Sequence, residues 1–177
     1  MRLSKFILSV WGWKIVGQIP SEKKFVAVGA PHTSMWDFVI GRLFFFSIGH
    51  APNFLMKKEL FFFPLGWLLV KMGGIPVDRS KKGDTVEKMS QRFKTENRFM
   101  LIITPEGTRK KVAEWKLGFY HIARNANVPI VPAYIDYQKK VIGIGNGFYV
   151  SENVNNDILR IKEFVKVAVP KHPELYD

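Results

Sequence analysis

Along this chain, short runs of consecutive apolar residues alternate with stretches in which apolar residues recur every three or four positions. The fullest runs are 25–30 (Phe-Val-Ala-Val-Gly-Ala) and 99–103 (Phe-Met-Leu-Ile-Ile). Uninterrupted apolar strands of this length belong in sheets covered on both faces. Residues 54–56 and 75–77 read as shorter strands, as do 130–131 and 133–135 around Pro132. Pro76 makes 75–77 an edge or short strand, because proline brings no donor to a ladder. Helical patterns lie between these runs: 37–48, closed by Gly49; 61–72, broken near its start by Pro64 and closed by Gly73-Gly74; 84 to about 96; 117–126; and 157–165. Asp84 and Glu87 have the spacing of a capping box. Residues 141–144 and 148–150 flank Gly145-Asn146-Gly147 as a hairpin. The alternation predicts a single α/β domain with a mainly parallel or mixed sheet flanked by helices.

The first residues add an amphipathic helix. Leu3, Phe6, Ile7, Val10 and Trp11 share one face, with Arg2, Ser4, Lys5, Ser9 and Lys14 off it. That pattern suits a helix lying in a membrane interface and equally one packed on the domain's own core. The apolar run is too short to span a bilayer. Lys14 and the lack of a small-residue cleavage site argue against a signal peptide. At 177 residues and 47% hydrophobic content the chain can bury one sizeable core. Its 27 Lys and Arg against 15 Asp and Glu give a net charge of +12, an attractive field for nucleic acid, anionic lipid or acidic carriers. With no cysteine there is no disulfide, thiolate metal site or cysteine nucleophile, and the four histidines lack metal-ligand spacing.

The chemistry gathers where strands end. His32 follows the 25–30 strand, and Asp37 opens the next helix. A strand-to-helix turn can bring that carboxylate back to the ring, fix its tautomer and leave the other ring nitrogen free to take a proton from a hydroxyl. An acid in a first helical turn is also ordinary capping chemistry. Arg79 follows the 75–77 strand and Glu106 the 99–103 strand. Ligands of open α/β sheets bind at the carboxyl ends of strands, so these stretches are expected to converge on one edge. Neither a Gly-x-Ser-x-Gly elbow nor a Walker loop occurs.

Four ordered motifs carry a family resemblance: His32-x-x-x-x-Asp37, Gly73-Gly74-Ile75-Pro76-Val77-Asp78-Arg79, Pro105-Glu106-Gly107-Thr108-Arg109 and Val128-Pro129-Ile130-Val131-Pro132. Over roughly residues 25–135 the chain resembles the glycerolipid acyltransferases, with 1-acylglycerol-3-phosphate acyltransferases as the nearest type. Lys57-Lys58-Glu59-Leu60 and Pro64-Leu65-Gly66-Trp67 are similar as well. Pro31 and Pro105 stand where members often carry asparagine and phenylalanine, and neither change removes a reacting group.

The resemblance implies His32 as general base and Asp37 as its orienting acid. It implies an acceptor site of Arg79, Glu106, Gly107, Thr108 and Arg109, the two arginines holding a phosphate. Lys57, Lys58 and the Gly73-Gly74 turn are candidate oxyanion or donor contacts. Phe44, Phe61, Trp67 and Leu68 are candidates to line an acyl pocket or simply the core. The implied reaction needs no cofactor and no metal. An acyl thioester, on coenzyme A or acyl carrier protein, would acylate the free hydroxyl of a lysolipid at an anionic membrane surface, with no nucleic-acid partner. Residues 1–20 are expected as a membrane-association helix and 21–177 as the acyltransferase domain. With little chain before the first motif, peripheral attachment at the cytoplasmic face is expected in place of a two-helix anchor. Three alternatives stay open: another lysolipid acceptor such as an aminolipid lacking phosphate, a nonenzymatic membrane-surface module, and a nucleic-acid binder.

Overall fold

The computed structural model describes residues 2–78 and 83–176. Strand β2 (Lys24–Gly29) runs through the centre with its four middle residues fully buried. Its side chains alternate between two cores, as a strand's pleat requires. Val26 and Val28 pack with Leu101, Phe93, Phe119 and Ile161 on one face. Phe25 and Ala27 pack with Leu8, Ile40, Phe44 and Val131 on the other. The apolar run is therefore a two-sided strand, and β5 (Phe99–Ile103) beside it has the same character.

The remaining elements are α1 (Arg2–Val10), β1 (Lys14–Gly17), α2 (Met35–Ser47), β3 (Asn53–Lys57), α3 (Leu65–Lys71), β4 (Gly74–Val77), α4 (Asp84–Thr95), α5 (Gly118–Ala126), β6 (Ile130–Asp136), β7 (Val141–Ile144) and α6 (Val154–Val165). Among the described residues one sheet runs β1-β7-β6-β2-β5-β3-β4. Neighbours pair in parallel except β6 with β7. Helices α1 and α2 cover one face; α4, α5 and α6 cover the other. Arg42 of α2, 8% exposed, lies 4.8 Å from the centroid of Phe46 and 5.2 Å from that of Phe54. It donates to the carbonyls of Pro52 and Met72, so the ends of α3 and of the α2–β3 connection are pinned to α2. A buried guanidinium is tolerated there because its planar donors meet otherwise orphaned carbonyls while its faces meet rings.

Several expected boundaries shift for local reasons. Helix α2 starts at Met35, because Ser34 caps it and Asp37 is its third residue. The expected 61–72 helix begins only at Leu65, after a short 3₁₀ turn at Lys58–Leu60. Pro64 is the residue that precedes it, which suits a ring with fixed φ and no N–H. Asp84 is the first residue of α4 behind Gly83, and no side chain caps that helix, so the expected capping box is absent. Strand β6 runs unbroken through Pro132. The missing N–H costs nothing where β7 has already ended, and the Pro132 carbonyl takes the Gly145 N–H at 2.8 Å. The expected 141–150 hairpin gives way to β7 pairing back on β6, with Phe148 making only an isolated bridge to Ile130.

The expected helix over 1–20 is corrected as well. It ends at Val10, and Lys14–Gly17 joins the sheet in parallel with β7, because Leu8 fits the core and Gly17 crosses close to the Ile144 carbonyl. A Cβ on Gly17 would sit 1.8 Å from that oxygen, so only glycine serves.

Candidate active site

At the carboxyl edge of the sheet, β2 hands the chain to α2 within five residues. Ser34 accepts the Trp36 N–H at 3.2 Å, and Asp37 returns to accept the Ser34 N–H at 2.8 Å. This reciprocal cap ties off donors that a helix start leaves unpaired. The same Asp37 oxygen, Oδ2, accepts the Thr33 N–H at 2.9 Å and lies 3.0 Å from His32 Nδ1. With Nδ1 turned to the carboxylate, Nε2 is the ring nitrogen left to take a proton. The imidazole is partly open, at 19% side-chain exposure. The other oxygen of Asp37 accepts the Tyr137 hydroxyl at 2.6 Å. Burial pushes the Asp37 carboxyl up, but the hydrogen bonds from His32, Tyr137 and Ser34 outweigh it and hold the group below its ordinary range.

Because β5 pairs with β2 in parallel up to Ile103 opposite Val28, the loop after β5 emerges beside His32. Glu106, 3% exposed, accepts the His32 backbone N–H on Oε1 at 3.3 Å. Its Oε2 is buried with no hydrogen-bond partner among the described residues. Burial pushes the Glu106 carboxyl up to about 7, with Asp37 adding a smaller rise and His32 a lowering. Gly107, at φ +62°, turns this loop, and the Lys116 side chain lies over it 3.0 Å from where a Cβ would stand. Thr108 accepts the Lys110 N–H at 3.4 Å, and Arg109 is exposed on the same loop.

His32, Asp37 and Glu106 are thus brought together, each from the end of a different strand or the start of the following helix. Lys57 lies exposed at the carboxyl end of β3, and Lys58 is paired with Asp78 at 2.7 Å. Arg79 falls outside the described residues. Gly73 and Gly74 stand at the amino end of β4, the end away from Lys57. The Gly73 N–H is already given to Val70 at 2.9 Å, and its φ of +86° serves the close approach to the Pro52 carbonyl. That turn is structural. Phe44 is fully buried in the core, whereas Trp67 and Leu68 lie on the exposed side of α3. Tyr137, one residue past β6, is the partner that sequence reasoning missed; the strand end before it was the available signal.

Comparison with known proteins gives the family. A family model described as Acyltransferase matches residues 14–136, about two thirds of the chain. The chain belongs to that acyltransferase family. The 1-acyl-sn-glycerol-3-phosphate acyltransferase of Saccharomyces cerevisiae is 29% identical over 145 residues, covering 77% of this chain and 46% of the relative. That of Limnanthes alba is 38% identical over 82 residues, covering 43% and 29%. The chain therefore spans less than half the length of these curated relatives. The crystal structure of the 1-acyl-sn-glycerophosphate acyltransferase from Thermotoga maritima superposes with a TM-score of 0.65 at 20% identity, over 93% of this chain and 74% of that one, and shares the fold.

The Glu106 environment makes stability depend on pH. A carboxyl raised from 4.5 to about 7 keeps its proton in the folded state where the unfolded chain has lost it. Its contribution is therefore present below pH 4.5 and is lost as pH rises toward 7. Glu106→Gln should exceed wild type in stability at pH 8 by about 3 kcal/mol, with the gap closing toward pH 5, in urea melts at both values. A gap that does not change with pH would show that Glu106 is not held neutral.

Proposed function

We propose that the chain moves a fatty acyl group from an acyl thioester, on coenzyme A or acyl carrier protein, to the free hydroxyl of 1-acylglycerol 3-phosphate, giving phosphatidic acid. The observation that carries this reading is the His32–Asp37 contact of 3.0 Å beside the buried Glu106 at the sheet's carboxyl edge. The names of the relatives support the acceptor. His32 Nε2 takes the hydroxyl proton as the oxygen attacks the thioester carbonyl, and Asp37 stabilises the imidazolium. The tetrahedral intermediate collapses with loss of the thiolate, which takes the proton from the imidazolium; ester and free thiol result. Glu106 Oε2, without a partner among the described residues, suits a hydroxyl of the acceptor's glycerol, which can donate or accept, and Arg79 with Arg109 would bind its phosphate. Lys57, exposed at the same edge, is the remaining candidate to face the oxyanion.

The reading includes peripheral attachment to an anionic bilayer. Among the described residues no helix is long and apolar enough to cross a membrane. Helix α1 packs on the core through Leu8, 2% exposed, and leaves Leu3, Phe6 and Val10 64–71% exposed, which supports the membrane reading of its other face. Trp11 meets Trp36 edge-on at 6.1 Å, so the apolar surface continues onto the start of α2, next to the site. Phe63 and Trp67, by α3, are 90% and 61% exposed. Exposed apolar surface on a chain of net charge +12 fits a negatively charged lipid interface.

Two experiments test this. With a fixed thioester donor, His32→Ala should lose roughly 10²- to 10⁴-fold in turnover. Arg79→Ala and Arg109→Ala should each lose about one to two decades in kcat/KM on 1-acylglycerol 3-phosphate and little on a matched lysolipid without phosphate. Wild-type preference for the phosphate-free acceptor would move the assignment to another lysolipid. For the membrane, Leu3, Phe6 and Val10 changed together to serine should abolish cosedimentation with anionic vesicles at an unchanged melting temperature. Undiminished cosedimentation would remove α1 from the binding face.

A further inference from the structure

The search for groups that the proposed chemistry leaves unused returns to Tyr137. Its hydroxyl donates to Asp37 Oδ1 at 2.6 Å, across 100 positions of sequence. The residue is built into place from three directions. Its backbone N–H is held by the Val169 carbonyl at 2.9 Å, its ring meets Trp13 edge-on at 5.4 Å, and β6 ends directly before it. It also lies one residue past the segment that the acyltransferase family model matches. None of these contacts needs the hydroxyl, so the hydroxyl's direction toward the carboxylate is a separate feature of the site.

We propose that Tyr137 is a positioning residue for the His32–Asp37 pair, fixing the carboxylate through the oxygen that His32 does not use and drawing off part of its negative charge. The proposal rests on His32 acting as general base. Asp37 has two tasks that pull against each other. It must hold the imidazole in one tautomer, and it must not stabilise the imidazolium so far that the ring stays charged and cannot accept a proton. Donors on both carboxylate oxygens favour the first task and moderate the second. Oδ2 receives His32, Thr33 and Ser34, and Oδ1 receives Tyr137. Burial and the neighbouring carboxylate push the Tyr137 phenol far above its ordinary range, so it stays a donor at every working pH.

Among the described residues few other ionisable groups face the pair. Glu106 approaches His32 from the loop after β5. From the C-terminal segment, Lys171 lies over the Trp36 ring at 5.2 Å and His172 is paired with Glu174 at 3.4 Å, while the His172 backbone N–H goes to Thr33 Oγ1 at 3.2 Å. The Tyr137 hydroxyl bonds to Asp37 and to none of these groups, so a change at position 137 reads out through Asp37.

The test is an NMR titration of the His32 ring in the whole chain, identified by its absence in His32→Ala, for wild type and Tyr137→Phe. The phenylalanine keeps the ring against Trp13 and removes only the donor. Asp37 then offers His32 its full charge, so the His32 midpoint should rise, and the acid limb of the pH–rate profile should move up with it. At the plateau, kcat should fall by about tenfold with KM unchanged, inside the roughly hundredfold that a 1 Å misplacement costs. A 3-fluorotyrosine placed at 137 alone keeps the fold, strengthens the donor and should move the midpoint down. Opposite shifts in the two variants establish the positioning role. An unchanged midpoint in both, whatever happens to the melting temperature, would reduce Tyr137 to packing. The titration needs no substrate, so an inert wild type would count against the acyltransferase reading while the midpoints still decide the role of Tyr137.

Discussion

The site depends on one carboxylate. Asp37 accepts from the Thr33 and Ser34 N–H groups, from the His32 ring and from the Tyr137 hydroxyl. Two of those donors belong to the start of α2, one is the proposed base, and one follows β6, the strand beside β2. Capping the helix and orienting the imidazole are therefore a single arrangement. A side chain that rotated away from His32 would also release the helix start, so the helix's own stability holds the base's partner in place. A carboxylate with this many donors is held ionised despite its burial.

The rest of the fold delivers the other groups to that point. The loop after β2 carries His32 and the loop after its parallel neighbour β5 carries Glu106, so the register between them puts a buried carboxyl oxygen, without a partner among the described residues, beside the base. An orphaned polar group in a site otherwise well satisfied is a cost that a ligand hydroxyl would remove. The C-terminal segment passes over the same edge, touching Thr33 and Tyr137 by backbone hydrogen bonds. The exposed apolar side chains of α1 continue through Trp11 to Trp36, one residue before Asp37, so the surface proposed to meet lipid adjoins the proposed chemistry.

The central strands and the spacing of His32 and Asp37 were legible because each is a local signal: an apolar run too long for a one-sided strand, and two reactive groups on one turn. The geometry of both sequence readings of Asp37 is present in one side chain: it accepts the Ser34 N–H at the helix start and lies 3.0 Å from His32 Nδ1. Tyr137 was not legible, because a tyrosine in a turn has no pattern of its own and its partner lies 100 residues away. β1 was hidden for a related reason: four exposed residues at the sheet's edge show no periodicity, and their pairing with β7 is decided by the packing of Leu8 and the crossing at Gly17. Gly73-Gly74 misled in the other direction, since a turn suited to oxyanion donors was spent on a close backbone approach at the wrong end of its strand.

The most direct test of the account is a double-mutant cycle in kcat/KM across His32→Ala, Asp37→Asn and the pair. If the carboxylate acts only through the imidazole, Asp37→Asn alone should lose nearly as much as His32→Ala, through the wrong tautomer. The double variant should then be no worse than His32→Ala by itself, because groups that work as one unit do not lose activity twice. Losses that multiply would contradict the account, by showing that Asp37 serves the reaction by a route that does not pass through His32.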